Sequence, residues 1–186
     1  MKLRFIPNII TCLRLLLIGP FLFFLSSGNY VLAMSIFLLA AISDGVDGLL
    51  ARHFHWQSKF GSFADPMADK LLITAAFVML ALLEKIPFWI MFLVMLRDLV
   101  IIAGVFTWYK RFGQIEFTPT FLSKINTGLQ LAYIIGILYT IALHPIAPFL
   151  LTLSLALTAS TTLLSLLDYV WSWGKKAIQK TPTTLR

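Results

Sequence analysis

Six long apolar segments constrain this chain more than any other feature of its sequence. They cover roughly 9–26, 30–51, 61–83, 87–108, 121–143 and 147–172, with short polar or Pro- and Gly-containing breaks between them. A helix needs about 20 mostly apolar residues to cross a bilayer. The chain has 186 residues, 59% of them hydrophobic, which is more than a soluble core of this size requires. The pattern predicts an all-α integral membrane protein, a bundle of six transmembrane helices in one domain, 1–186.

Basic residues divide unequally between the two ends of these segments. Eleven of the fifteen lysines and arginines fall at one end, Lys85 alone falls at the other, and three lie within the segments. Because basic residues concentrate on the cytosolic side of a membrane, we expect both termini and the 52–60 and 110–120 connections in the cytosol. No small-residue cleavage site follows the first segment, so we expect a span rather than a secretory signal. The basic tail suits anionic membrane lipids, and we expect no nucleic-acid partner.

Four aspartates lie where a membrane protein can least easily carry charge. Asp44 and Asp47 are three residues apart near the end of the second segment, and Asp65 and Asp69 are four apart near the start of the third. Each spacing puts two carboxylates on one helix face. An Asp at the centre of a span costs roughly 3 kcal/mol. We expect the four carboxylates to converge near the cytosolic surface and to bind divalent cations, Mg²⁺ or Mn²⁺, which prefer oxygen ligands.

The aspartates belong to a longer pattern: Asp44-x-x-Asp47-Gly48-x-x-Ala51-Arg52, eight residues, then Gly61-x-x-x-Asp65-x-x-x-Asp69. Eight specified positions over 26 residues make a specific signal. The pattern resembles the complete signature of the CDP-alcohol phosphotransferase family, and the six-helix layout extends the similarity over nearly the whole chain. The resemblance implies an enzyme in which an alcohol attacks the lipid-bearing phosphate of CDP-diacylglycerol and CMP leaves.

The resemblance also implies roles for single residues. Asp44, Asp47 and Asp65 bind two metal ions per active site. Asp69 completes the second metal site and is the candidate general base for the acceptor hydroxyl. Small residues let a nucleotide approach the backbone and an arginine binds phosphate; these CDP-lipid positions are Gly48, Ala51, Arg52 and Gly61. The family resemblance further implies a homodimer.

The start of the first segment resembles that of bacterial members of the family. We therefore expect the inner (cytoplasmic) membrane of a bacterium, with the active site facing the cytosol. Asn8, Thr11 and Arg14 fall at i, i+3 and i+6, roughly on one helix face, and we expect them beside the CDP-lipid. In the alternative, Asn8 caps the helix and Arg14 extends to the interface.

Polar residues of the fourth and fifth segments are candidates for binding the acceptor. Arg97 sits next to Asp98 near mid-helix, and we expect it to face the metal site; the alternative is an ion pair that only orients helices. Lys124 and Thr127 share a helix face and suit a phosphate, although Lys124 also fits a cytosolic anchor.

The identity of the acceptor depends on one missing cation. Family members that use glycerol 3-phosphate usually carry an arginine eight residues after the fourth-span arginine, where this chain has Val105. By contrast, the segments RDLVIIAGVF and TPTFLSKINTGLQL are similar to those of CDP-alcohol-type cardiolipin synthases, which use phosphatidylglycerol. We expect an anionic lipid acceptor, phosphatidylglycerol, giving cardiolipin. The alternative is glycerol 3-phosphate, giving phosphatidylglycerophosphate.

Ser154, Thr158, Thr161 and Ser165 form one stripe of the sixth segment and predict close helix packing, within the chain or across a dimer. His53 and His55 are close enough for a metal, but solvated loop residues are the favoured interpretation. A divalent-cation or proton-coupled transporter also carries intramembrane carboxylates, but it would show broken helices or paired repeats near the midplane. A non-catalytic membrane protein would leave four charges uncompensated.

Overall fold

The computed structural model describes residues 6–53, 61–112 and 121–180, with side chains at 12–43, 70–104, 106, 107, 110 and 121–171. These residues form six α-helices: α1 Ile6–Ser26, α2 Tyr30–His53, α3 Gly61–Leu82, α4 Phe88–Phe112, α5 Phe121–Ala142 and α6 Pro148–Lys180. The predicted helices are confirmed to within a few residues, except at the end of α6. That helix continues to Lys180 rather than ending near 172, because the sequence pattern marked the end of an apolar run and a helix can continue into polar residues.

Two helices combine the length and the composition needed to cross a membrane. They cover Phe121–Ala142, with a mean hydropathy of 1.4, and Pro148–Trp171, with a mean hydropathy of 1.8. Shorter apolar stretches cover Cys12–Ser26, Tyr30–Ser43 and Lys70–Leu82. The all-α prediction is confirmed for the described residues and is consistent with a membrane protein. The number of spans and their orientation stay predictions.

A left-handed glycine and an asparagine cap connect α1 to α2. Gly28 has a φ of 77°, a conformation that glycine adopts without steric cost. The amide of Asn29 donates to the carbonyl of Phe24 at 3.0 Å, which closes the end of α1. The side-chain Oδ1 of Asn29 then accepts a hydrogen bond from the Leu32 amide at 3.4 Å, which caps the start of α2. The polar break therefore both ends one helix and begins the next.

Three connections lie at one end of the bundle. Lys85, between α3 and α4, lies 5.8 Å from the ring centroid of Tyr30 at the start of α2. Residues 27–31, between α1 and α2, share a surface depression with residues 141–142 at the end of α5. The last turns of α2 and the first turns of α3, which carry the aspartate motif, therefore point toward the opposite end of the bundle.

An apolar core fills the half of the bundle nearest these three connections. The rings of Phe21 and Phe37 lie 5.3 Å apart between α1 and α2. The rings of Phe77 and Tyr133 stack with their centroids 6.2 Å apart between α3 and α5. Leu25, Leu80 and Leu138 are also fully buried here, among others. Aromatic and branched side chains of this kind hold four helices together by close packing.

The helices α5 and α6 run antiparallel along a polar seam. Thr162 Oγ1 lies 2.8 Å from Asn126 Oδ1, and Thr158 Oγ1 donates to the Leu129 carbonyl at 3.4 Å. The partner moves back along α6 as the position advances along α5, so the two helices are antiparallel. The predicted stripe is confirmed as a packing surface, and Thr158, Thr161 and Ser165 find partners within the chain. Its fourth member, Ser154, bonds to its own helix at the Leu151 carbonyl.

Candidate active site

Arg97 joins three helices through its guanidinium. The side chain is 2% exposed, and its Nη1 donates to Asp98 Oδ1 at 2.7 Å. Its Nη2 donates to Ser123 Oγ of α5 at 2.5 Å and to Ser165 Oγ of α6 at 3.1 Å. The guanidinium carbon also lies 5.9 Å from the centroid of the Tyr169 ring, within the range of a cation–π contact. Arg97 therefore fixes the position of α4 against α5 and α6.

Asp98 holds a second cation as well. Lys70 of α3 donates from Nζ to the same Oδ1 at 2.9 Å, and its side chain is 34% exposed. Two cations thus share one carboxylate, which leaves the cluster with one net positive charge. We refer to Lys70, Arg97 and Asp98 as the cationic cluster. It links α3 to α4 in the same region of the bundle where Arg97 links α4 to α5 and α6.

The sequence did not single out Lys70, although a signal was present. Lys70 directly follows Asp69 and is a charge within an apolar segment, the context in which an ionisable residue is a functional candidate by default. Arg97 and Asp98 form the ion pair of the alternative, but they are neighbours in α4, so the contacts that join helices are those of Arg97 with Ser123 and Ser165 and of Asp98 with Lys70. The Nε of Arg97 is buried without a hydrogen-bond partner among the described residues. The role of Arg97 in holding an acceptor stays a prediction.

The other two acceptor candidates are less buried than Arg97. Lys124 is exposed, as expected for an anchor at the interface. Thr127 is half-buried, and its Oγ1 donates to the carbonyl of Ser123 within α5 at 3.1 Å. Ser123 is the residue that meets Arg97, so Thr127 lies one turn from that contact. Direct binding of an acceptor by Lys124 or Thr127 stays a prediction.

Asn126 and Gln130 are buried polar residues within the segment TPTFLSKINTGLQL, and the sequence assigned no role to either of them. Asn126 is fully buried against α6, with its Oδ1 3.0 Å from Thr161 Oγ1 and 2.8 Å from Thr162 Oγ1. Both hydroxyls also lie within bonding distance of carbonyls in α6. Since a hydroxyl has one proton, the amide satisfies more groups when its nitrogen faces the two threonines. Spacing of i and i+4 inside an apolar helix is the signal for this pair.

The candidate CDP-lipid residues Asn8, Thr11 and Arg14 lie in the first three turns of α1. Arg14 is fully buried, whereas an arginine that extends to the membrane interface keeps its head in water. Burial therefore argues against the interface alternative. Asn8 and Thr11 lie in α1, but their side chains are outside the described residues. In helical register, positions 8 and 11 continue the stripe of Arg14, Phe21 and Leu25.

The aspartates occupy helix positions that continue the buried stripes. On α2, the buried residues Ala33, Phe37 and Ala40 recur at steps of three and four, and the same steps lead to positions 44 and 47. On α3, the buried positions 72, 76 and 80 lead back in the same way to positions 69 and 65. All four aspartate positions therefore lie in register with the faces that α2 and α3 turn to the bundle. The carboxylates themselves are outside the described side chains.

Several other predicted residues fall beyond the described side chains. These residues are Gly48, Ala51, Arg52, His53, Gly61 and Val105. Gly48 and Ala51 lie in α2, Gly61 begins α3 and Val105 lies in α4, as predicted. The helix α2 also includes Arg52 and His53, so the prediction that they belong to the following connection is wrong, because a helix can continue past its apolar run. His55 lies outside the described residues altogether. Their predicted roles stay predictions.

Comparison with known proteins gives a consistent result. A family model described as CDP-alcohol phosphatidyltransferase matches residues 4–166. A Drosophila melanogaster protein named probable cardiolipin synthase (CMP-forming) is 39% identical over 146 residues, 69% of this chain and 45% of that protein. The Homo sapiens cardiolipin synthase (CMP-forming) is 30% identical over 190 residues, 94% of this chain and 63% of that protein. The chain thus spans 45% and 63% of the lengths of these two relatives.

A bacterial relative carries a different name. A Pseudomonas fluorescens protein named CDP-diacylglycerol–glycerol-3-phosphate 3-phosphatidyltransferase is 35% identical over 138 residues, 70% of each chain. The names of the two animal relatives give CMP as a product, and the name of the Pseudomonas relative gives CDP-diacylglycerol as a substrate. The names differ in the lipid product or acceptor that they state.

Proposed function

Because the chain belongs to the CDP-alcohol phosphatidyltransferase family, we propose that it transfers a phosphatidyl group from CDP-diacylglycerol to a glycerol-type alcohol and releases CMP. The observation that carries this proposal is the register of the aspartate motif. The positions of the four aspartates continue, at helical steps, the buried stripes of α2 and α3. We infer that the four carboxylates meet in the bundle at this end and form a site, because packing alone gives no compensation for their desolvation.

The donor set fits a divalent metal. Carboxylate oxygens are the ligands that Mg²⁺ and Mn²⁺ prefer, and four of them match the charge of two such ions. Asp44, Asp47 and Asp65 would hold the pair, with Asp69 completing the second site. When bound, the ions supply neutralisation of the diphosphate charge.

The chain's own residues then perform the transfer. Arg14 and Arg52 bind the phosphates of the CDP-lipid. Asp69 accepts the proton of the acceptor hydroxyl, and the freed oxygen bonds to the lipid-bearing phosphorus. The bond from that phosphorus to the oxygen of the CMP leaving group breaks, so the phosphatidyl group moves to the acceptor and CMP departs. The buried position of Arg14 supports its part in this scheme.

We propose phosphatidylglycerol as the acceptor and cardiolipin as the product. The cationic cluster has one net positive charge, which matches a phosphodiester with one negative charge. A phosphomonoester such as glycerol 3-phosphate carries nearly two negative charges at neutral pH, and Val105 stands where users of that acceptor usually have an arginine. The names of the two animal relatives agree with this choice. The name of the Pseudomonas relative favours the alternative, glycerol 3-phosphate.

The surroundings of the site complete the proposal. We propose six spans with both termini in the cytosol, in the inner membrane of a bacterium, and the homodimer that the family resemblance implies. The three connections gathered at one end of the bundle support this topology. An antibody or thiol-reagent accessibility test on cells, with single cysteines at 85 and 110 in a Cys12→Ser background, separates the two sides. Labelling at 110 from outside the cell would contradict it.

An acceptor exchange tests the reaction. Release of radiolabelled CMP from CDP-diacylglycerol is measured with phosphatidylglycerol or glycerol 3-phosphate as the acceptor, and we expect turnover with phosphatidylglycerol. Turnover with glycerol 3-phosphate alone would overturn the acceptor and leave the family reaction standing. Val105→Arg is the matched variant, and it should improve the use of glycerol 3-phosphate if the missing cation sets the preference.

A further inference from the structure

A groove between α3 and α4 is lined by apolar side chains and by one charged pair, and none of its lining residues belongs to the aspartate motif. Its volume is about 180 Å³, and it is lined by Lys70, Leu71, Thr74, Met95, Asp98, Leu99 and Ile102. Leu71 is 50% exposed and Leu99 is 60% exposed, so the groove opens at the side of the bundle. In a membrane-spanning bundle this side faces lipid chains. The groove is thus apolar along its length and has a charged pair in its lining.

In the charged pair of Lys70 and Asp98, the ammonium of Lys70 can bind an anion in addition to Asp98. Asp98 is already bound by Arg97 at 2.7 Å, so its charge is compensated without Lys70. The ammonium of Lys70 has three protons and donates to Asp98 at 2.9 Å. Its side chain is 34% exposed, whereas Arg97 is 2% exposed. Of the two cations in the cluster, Lys70 is the one that a phosphate arriving through the groove can reach.

The position of the groove separates the two lipid substrates. The proposed contacts of the CDP-lipid belong to α1, α2 and the first residue of α3, Gly61, whereas the groove is formed by α3 from Lys70 onward and by α4. Lys70 directly follows the proposed general base Asp69 in α3. An alcohol held by Lys70 therefore lies on the flank of the aspartate motif where its hydroxyl is to be deprotonated.

We propose that this groove is the binding site of the acceptor lipid, with one acyl chain of phosphatidylglycerol along Leu71, Leu99 and Ile102 and its phosphodiester on Lys70. The inference rests on the proposed function and adds to it the site and the route of the acceptor, sideways from the bilayer. The single net charge of the cationic cluster matches the single charge of a phosphodiester, and the open apolar side matches the acyl chain.

The test uses the full-length protein in mixed micelles, with KM measured separately for dioleoyl phosphatidylglycerol and for CDP-diacylglycerol. Lys70→Gln should raise the KM for phosphatidylglycerol about tenfold, the lower range for a hydrogen bond to a charged group, and leave the KM for CDP-diacylglycerol unchanged. Lys70→Arg should restore most of the loss. The fold should survive, because Arg97 still compensates Asp98 and glutamine still donates a hydrogen bond; an unchanged Tm checks this.

A second variant tests the groove without touching charge. Leu99→Trp should obstruct the groove and raise the KM for phosphatidylglycerol about tenfold, which corresponds to about two lost methylene contacts. Leu167→Trp is the matched control, since Leu167 is 63% exposed on α6 and outside the groove, and it should leave both KM values unchanged. Equal effects of the two tryptophans, or a rise confined to CDP-diacylglycerol, would overturn the inference while the reaction stands. No CMP release by the unaltered protein with any acceptor would overturn the proposed function itself.

Discussion

The two ends of the bundle contrast in what their buried residues contribute. Near the three connections, the buried side chains are apolar and aromatic, such as Phe37 and Phe77. Toward the end that carries the aspartate motif, fully buried residues include Arg14 and Asn126. Apolar residues can pack tightly at little cost, whereas a buried charge requires a compensating partner. This difference is the one expected if the first end maintains the structure and the second end carries the proposed reaction.

The cationic cluster lies between these two roles. Its ion pair between Lys70 and Asp98 joins α3 to α4, and the hydrogen bonds of Arg97 join α4 to α5 and α6. The cluster also sets the charge beside the aspartate motif. A residue in the apolar end should therefore affect stability alone, and a residue of the motif should affect turnover without lowering stability. Arg97 and Asp98, the buried members of the cluster, should affect both. The predictions below separate these classes, from the largest effect to the smallest.

Removing one carboxylate of the motif should have the largest effect. Asp44→Asn, Asp47→Asn or Asp65→Asn should lower CMP release by at least about 1,000-fold, because the metal loses a ligand and the diphosphate loses its charge neutralisation. The free energy of unfolding should stay the same or rise, since a buried charge has been removed. Turnover and thermal unfolding of each purified variant provide the comparison. Near-normal turnover in all three variants would contradict the proposal that the reaction takes place at the end of the bundle that carries the aspartate motif.

Asp69→Asn should affect the chemical step more than the binding of CDP-diacylglycerol, because its proposed role is partly that of a base. Single-turnover rate and CDP-lipid affinity are measured side by side. A loss of affinity that accounts for the whole rate deficit would make Asp69 a metal ligand only.

Asp98→Leu should affect both stability and activity. Arg97 would keep its contacts with Ser123 and Ser165 but lose its anionic partner, and breaking a buried ion pair costs about 3–5 kcal/mol. Denaturation in mixed micelles measures the loss of stability, and CMP release per folded molecule measures the loss of activity. Asp168→Leu is a control, because Asp168 lies on α6 and is only half-buried. An equal loss of stability and activity in Asp98→Leu and Asp168→Leu would contradict the claim that the cluster contributes to both.

Phe37→Ala should lower stability without changing the reaction. The substitution removes a fully buried ring that packs against Phe21, and large-to-small changes of this kind cost about 3–5 kcal/mol in well-packed cores. CMP release per folded molecule should match that of the unaltered protein. A comparable change at Phe92, which is 63% exposed, should cost much less. Loss of kcat in the folded Phe37→Ala protein would contradict the claim that the apolar end affects stability alone.

The polar seam should show the smallest effect. Thr162→Val removes one hydroxyl next to Asn126 and should cost about 0.6 kcal/mol, the average for such bonds between membrane helices. Thr152→Val is the matched control on the same helix, because Thr152 is exposed and its hydroxyl bonds only to the Pro148 carbonyl. It should leave stability nearly unchanged. Thermal unfolding of the two variants decides whether the seam adds stability.

The helices could be predicted from the sequence because their ends carry local signals. The Ser-Ser-Gly-Asn break supplies the left-handed residue and the cap, and Pro148 stands at the start of α6, where its fixed φ fits. The partners of Arg97 could not be predicted, since Ser123 and Ser165 meet it only through the packing of three helices. The partner of Lys70 could not be predicted for the same reason, although the charge of Lys70 within an apolar segment was itself a signal. The pairing of Lys70 with Asp98 depends on how α3 faces α4, and no spacing within one helix reports that.

Removal and return of the metal test the central claim most directly. The full-length protein is treated with EDTA, and the release of CMP from CDP-diacylglycerol with phosphatidylglycerol is followed before and after excess Mg²⁺ or Mn²⁺ is added. The account predicts no release in the chelated protein, full recovery with either ion, and no recovery in Asp65→Asn. Undiminished CMP release from a preparation shown to be free of metal would contradict it.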